Sequence, residues 1–186
     1  MSRLNSKLLV LDASLATGSN DAHFNPQGSV GGDVNRKFLM AVWEEGHIAV
    51  FNRQLRREWG DHGGDWVKRT WLRLMENKGL TRDAEGSEFS GVLESASGAF
   101  ASDGEKAAFA KDFHLIQSAL ATGQLILSNE LRFPRQAAKA CQTEEKLKEL
   151  HYGNPAVEGE NCRLWIKKGA VKEPERRIDV WAASHR

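Results

Sequence analysis

The chain has two cysteines, four prolines and one tyrosine in 186 residues. Cys141 and Cys162 are too few for a disulfide framework and lack the paired spacing of a zinc site. The reading that follows is two reduced thiols in a cytoplasmic protein. Long apolar runs are missing as well. The opening MSRLNSKLLVLDAS holds a hydrophobic stretch too short for a signal-peptide core or a membrane span. Nor is there an excess of one charge, since 26 Lys and Arg face 25 Asp and Glu. At a formal net charge of +1, any nucleic-acid binding has to come from local patches. No Gly-rich phosphate loop follows the first apolar run: GSVGGD lies too far from it and has no lysine, which argues against a nucleotide-binding domain.

What is present suits one soluble globular domain, with 40% hydrophobic and 27% charged residues. Lys7–Leu11 predicts a strand that stops abruptly at Asp12. Thr17–Gly32 reads as a long loop. Asp33 then opens a helix carrying Val34, Phe38, Val42 and Trp43, closed by Gly46. His47–Phe51 predicts a second strand, and residues 53–78 two helices broken around Gly60–Gly64. Thr81–Gly104 is read as loop with at most one short helix. Glu105–Thr122 is a helix, Gln124–Ser128 a third strand, and Pro134–Leu150 a helix with Pro134 in its first turn. Arg163–Lys167 is read as a late strand before a polar tail. This succession predicts an α/β fold, a Rossmann-like three-layer α/β/α sandwich with a mainly parallel sheet. Residues 1–150 form its body, and 151–186 a C-terminal strand and tail that complete or decorate the same domain.

In such sheets ligands bind beyond the carboxyl ends of the strands. Two predicted strands end on acids there, one delivering Asp12 and the other Glu130. Asp112 falls on the apolar stripe of the 105–122 helix with Ala108, Leu115, Ile116, Ala119 and Leu120, where an unpartnered carboxylate is costly. Glu58 follows Leu55 by three residues. Carboxylates gathered at one rim repel each other and raise each other's pKa values, a conflict that a hard divalent cation resolves. Mg²⁺ or Mn²⁺ held this way can activate water against a phosphodiester, which is nuclease chemistry.

Four segments carry a resemblance. LLVLDAS resembles the opening of the PIN-domain family, a hydrophobic strand running into the first acid and a small residue. RQLRREW resembles its second motif, KDFHLIQSAL its third and ILSNELRF its fourth. Their order and spacing fit that family from Lys7 to Phe133. The resemblance implies a metal-dependent endoribonuclease acting on single-stranded RNA. It makes Asp12, Asp112 and Glu130 metal ligands, with Glu58 completing the acidic cluster and Ser128 orienting the metal shell on the substrate side. Arg132 and Arg135, just after Glu130, are the expected phosphate contacts. The family also suggests the toxin of a toxin–antitoxin pair, hence a homodimer and an antitoxin partner. The fourth acid is usually aspartate, so Glu130 leaves room for an alternative, a catalytically inactive PIN-fold module that binds RNA or a protein.

Plainer roles are weighed beside these. Asp12 could cap a turn, and Glu58 could pair with Arg57 on the surface. His114, two residues from Asp112, is expected to point elsewhere and to serve packing or hydrogen bonding. The six tryptophans read mostly as core, with Trp181 docking the tail or meeting a partner.

Overall fold

A computed structural model describes residues 6–19, 30–84 and 89–185. At its centre is a five-stranded parallel sheet of order β3-β2-β1-β4-β5. Strand β1 spans Leu8–Leu11, β2 Ile48–Phe51, β3 Thr81–Asp83, β4 Leu125–Leu127 and β5 His151–Gly153. Helices connect them: α1 Ala13–Gly18, α2 Val30–Glu44, α3 Arg53–His62, α4 Leu72–Asn77, α5 Ser90–Ser97, α6 Asp103–Leu120 and α7 Arg132–Ala140. Three more, α8 Pro155–Glu158, α9 Glu160–Lys167 and α10 Ile178–Ser184, follow β5. The result is the expected α/β fold of Rossmann-like layering. Its inner strands are buried on both faces, so β1 and β4 are continuous apolar runs. Among the described residues no helix is long and apolar enough to cross a membrane.

The sheet order places the site. Chain order runs outward from β1 to β2 and β3, then returns to β4 and β5 on the other side. The crevice between β1 and β4 is thus a topological switch point. Asp12 and the 128–130 turn leave the sheet side by side there, joined by the Asp12 N–H donating to the Leu127 carbonyl at 2.9 Å. Two buried indoles brace this end. Trp59 donates to the Leu11 carbonyl at 2.8 Å and stacks on Trp71, ring centroids 5.2 Å apart. Trp71 donates to the Leu39 carbonyl at 2.7 Å, so α3 and α2 are both tied through backbone acceptors. Each such side chain removes a large apolar area from water while satisfying its one donor. Four tryptophans, Trp59, Trp71, Trp165 and Trp181, are buried in the core, while Trp43 and Trp66 are partly buried against it.

Several elements differ from the sequence reading. Arg163–Lys167 is helical, part of α9: Cys162, Trp165 and Ile166 fall at i, i+3 and i+4 on the buried face, and Arg163 pairs with Glu160 one turn back. The last strand is instead His151–Gly153, which pairs with β4. Close approach favours its glycine, since a Cβ at Gly153 would meet the Leu127 side chain at 2.9 Å and Cys162 at 3.2 Å. The expected loop from Thr81 begins with the polar edge strand β3, and α5 is the one short helix that the reading allowed there. The helix predicted from Pro134 ends at Ala140, and Glu145–Glu149 form a 3-10 turn. Of the loop expected at 17–32, the first residues close α1 and the last open α2, while 20–29 lie outside the described residues. The second helix after β2 starts as a π-helical turn at Val67–Trp71. Trp181 docks the tail, its indole donating to Glu158 at 3.0 Å and its ring 4.7 Å from that of Tyr152.

Candidate active site

Asp12 stands at the N-cap of α1, but its side chain makes no capping bond. Its Oδ2 instead accepts two hydroxyls, from Ser14 at 2.5 Å and Ser128 at 2.6 Å. Each hydroxyl in turn accepts a backbone N–H of the turn after β4, Asn129 onto Ser14 and Glu130 onto Ser128, both at 3.0 Å. The turn and the carboxylate are therefore locked together through two relays. Ser128 is fully buried, which places it behind Asp12 rather than on the substrate side. Asn129 extends the lock by donating to the Ser14 carbonyl and to buried Asn35 of α2, each at 3.2 Å. Behind the turn the Tyr152 hydroxyl lies 3.0 Å from the Ser128 carbonyl and 2.6 Å from that of Glu130. Burial holds the Tyr152 phenol well above its ordinary pKa, so it remains a donor.

Glu58 and Asp112 reach the same crevice from α3 and α6. Asn52 caps α3 by accepting from the Leu55 N–H at 2.7 Å. Its amide donates to the His114 carbonyl at 3.0 Å and to Ser118 at 2.8 Å, fixing α3 against α6. Glu58 does not pair with Arg57, which lies 3.5 Å from Asp61. Gln54 donates to Glu58 at 3.0 Å, and His114 Nε2 lies 3.3 Å from the other carboxylate oxygen, off line for a hydrogen bond. His114 thus points toward the second acid, a relation that its spacing from Asp112 does not address. Its Nδ1 lies 3.0 Å from the Lys111 carbonyl. A carbonyl can only accept, so Nδ1 carries a proton.

Asp12, Glu58, Asp112 and Glu130 all line one cleft of about 420 Å³, with Lys111 and Arg132 on its walls. Half-buried Asp112 has its pKa raised, first by burial and then by the Asp12 charge, with His114 and Lys111 opposing and Glu58 adding to the rise. The donors are carboxylate oxygens, the ligands that Mg²⁺ and Mn²⁺ take. Among the described residues no three acidic, histidine or cysteine side chains converge closely enough to hold an ion unaided. Mg²⁺ is commonly bound through one or two carboxylates and several waters, so this donor set fits it in that manner. Arg132 is exposed beside Glu130, and Arg135, one helical turn on, donates to the His185 carbonyl at 3.1 Å. The sequence reading missed Ser14, His114 and Tyr152 as parts of the site. A serine two residues after the first acid was the only signal for Ser14, and a lone tyrosine gave none.

No protein-family model, curated protein or solved structure is significantly similar to the chain.

Proposed function

We propose that the chain is a divalent-metal-dependent endoribonuclease of PIN type acting on single-stranded RNA. The observation that carries this is the arrival of four acids from four separate elements in one cleft at the switch point of a parallel sheet. Mg²⁺ or Mn²⁺, when bound there, would supply an activated water and charge compensation for the leaving oxygen. Asp12, Asp112 and Glu130 would hold it. In the protein itself, Ser14 and Ser128 occupy Oδ2 of Asp12 and leave Oδ1 for that duty. Glu58, beside a histidine, is suited to orient a water or take its proton. Arg132 would meet a substrate phosphate. A toxin role within this reading adds a homodimer in the cytoplasm and an antitoxin that covers the cleft.

A second reading is a non-catalytic module of the same fold that binds RNA or a protein. It is favoured by Glu130 standing where the family usually has aspartate. Incubation of purified protein with mixed single-stranded RNA, in Mg²⁺ or Mn²⁺ against EDTA and beside Asp12→Asn, separates the two. Metal-dependent cutting lost in the variant supports the nuclease. A folded protein that cuts with neither ion, and whose melting temperature neither ion raises, leaves the binding module.

A further inference from the structure

The acidic cleft does not stand alone. It opens on one side into a groove of about 680 Å³ along α3, lined by Arg53, Gln54, Arg57 and Asp61, and the two spaces share Glu58 and His62. On the other side it opens into a groove of about 740 Å³ along α7, lined by Arg135, Gln136 and Lys139, and these share Glu130 and Arg132. The three spaces form one trough with its acids in the middle and its cations at both ends. At the α3 end Arg53 and Arg57 face Asp61, and at the α7 end Arg132, Arg135 and Lys139 face Glu105. The Arg57–Asp61 pair is long and exposed, so it gives up its arginine at little cost. Arg53 and Arg132 are exposed and make no ion pair with any described residue.

Two further features narrow the occupant. Asp12 is only 9% exposed and Glu58 and Asp112 are half-buried, with Glu130 exposed at the rim, so a backbone has to settle into the cleft to reach Asp12. A single flexible strand can do that, whereas a rigid duplex would ride on the rims. The phenyl rings of the trough, Phe100 and Phe133, are 4% and 2% exposed, and Lys139 lies over Phe100 with its ammonium 5.2 Å from the ring centroid. Neither ring offers a face on which a base could stack.

We infer that one polynucleotide strand lies along the whole trough from α3 to α7, gripped by its phosphates on both sides of the acidic cleft and not by its bases. This rests on the nuclease reading for its direction across the acids, and adds the α3 arm and weak base preference. The affinity is then mostly electrostatic and carries a steep salt dependence.

The test is fluorescence anisotropy of a labelled single-stranded RNA of about 12 nucleotides, within the range that single-strand grooves occupy, titrated in EDTA over a series of salt concentrations. Arg53→Gln/Arg57→Gln and Arg132→Gln/Arg135→Gln are each expected to reduce the slope of log affinity against log salt by about 1.4, two phosphates at about 0.7 each. All four substitutions together should remove about 2.8. Lys68→Gln/Arg73→Gln, exposed but outside the trough, should leave the slope unchanged, and RNAs of different base composition should bind within a few fold of one another. Melting curves confirm that each variant folds. An unchanged slope for either arginine pair, a large base preference, or no binding at low salt overturns the inference. Cleavage in Mg²⁺ is read separately. RNA bound along the trough but never cut removes the nuclease and keeps the path, whereas RNA cut with an α3-independent slope does the reverse.

Discussion

The two serines behind Asp12 offer the sharpest test of how the site is held. Ser128→Ala removes a donor 2.6 Å from the Asp12 carboxylate and strands the Glu130 N–H that bonded to it at 3.0 Å. A hydrogen bond to a charged acceptor contributes about 1.5–3 kcal/mol, and the stranded N–H adds to the loss. Ser14 still donates to the same oxygen, so we expect a cost near the lower end, about 2 kcal/mol. For a chain of this length that lowers the melting temperature by roughly 4–8 °C. Ser14→Ala, at a half-buried position, should cost about 1 kcal/mol. The informative variant is the double one. With both hydroxyls gone the buried carboxylate keeps neither donor, so the loss should exceed the sum of the single losses by about 1 kcal/mol, within the range for residues sharing a partner. Urea unfolding in EDTA, with the denaturant slope unchanged between variants, measures all four corners of the cycle. A double variant no worse than the sum, or single losses below about 0.5 kcal/mol, would refute the claim that these hydroxyls jointly sustain Asp12.

Other expectations follow from the same geometry. The folded-state pKa of Asp112 is raised above the unfolded value of about 3.9, so the folded state binds this proton more tightly and loses stability as pH rises through that window. In EDTA, Asp112→Asn should be flatter than wild type over that window and more stable at pH 7, and Mg²⁺ should raise the melting temperature of wild type alone. Parallel pH–stability curves would count against it. Arg176→Ala breaks a buried pair with Glu158 at 2.8 Å and uncovers the Trp165 face, and should cost about 3 kcal/mol by urea unfolding. Tyr152→Phe deletes only the hydroxyl behind the 128–130 turn and should cost about 1 kcal/mol, with little change in near-UV circular dichroism.

Most of the sheet and the acids could be read from the sequence because each is written locally. A leucine-rich run that stops on Asp12, an amphipathic helix with Asp112 on its apolar stripe, and another apolar run before Ser128 are short-range patterns. The capping box of α6, Ser102 with Glu105, starts that helix at Asp103, two residues before the predicted start. The failures are places where distant packing decides. His151–Gly153 is too short and too polar to announce a strand, and pairs only because β4 is open on that side. RLWIK is a short apolar run between basic residues, as a buried strand can be, yet α9 is helical with Cys162, Trp165 and Ile166 facing the core together. Helical spacing from Asp112 speaks to one helix and not to Glu58 across from it, which His114 approaches. Tyr152 and Ser14 act on residues 22 and 115 positions away respectively, beyond any local pattern.

The pairing of β1 with β4 has a bearing on when the cleft can exist during synthesis. Asp12 and the farther of the two hydroxyls that hold it, Ser128, are 116 positions apart, and the turn carrying Glu130 is secured by a phenol in a still later strand. Contacts of such separation form late and slowly, because a long loop must close before they return anything. On the ribosome the first strand therefore waits, its edge unpaired on the β4 side, until most of the chain has been made. A chain halted before His151 would hold all four carboxylates and lack the strand that fixes the last of them.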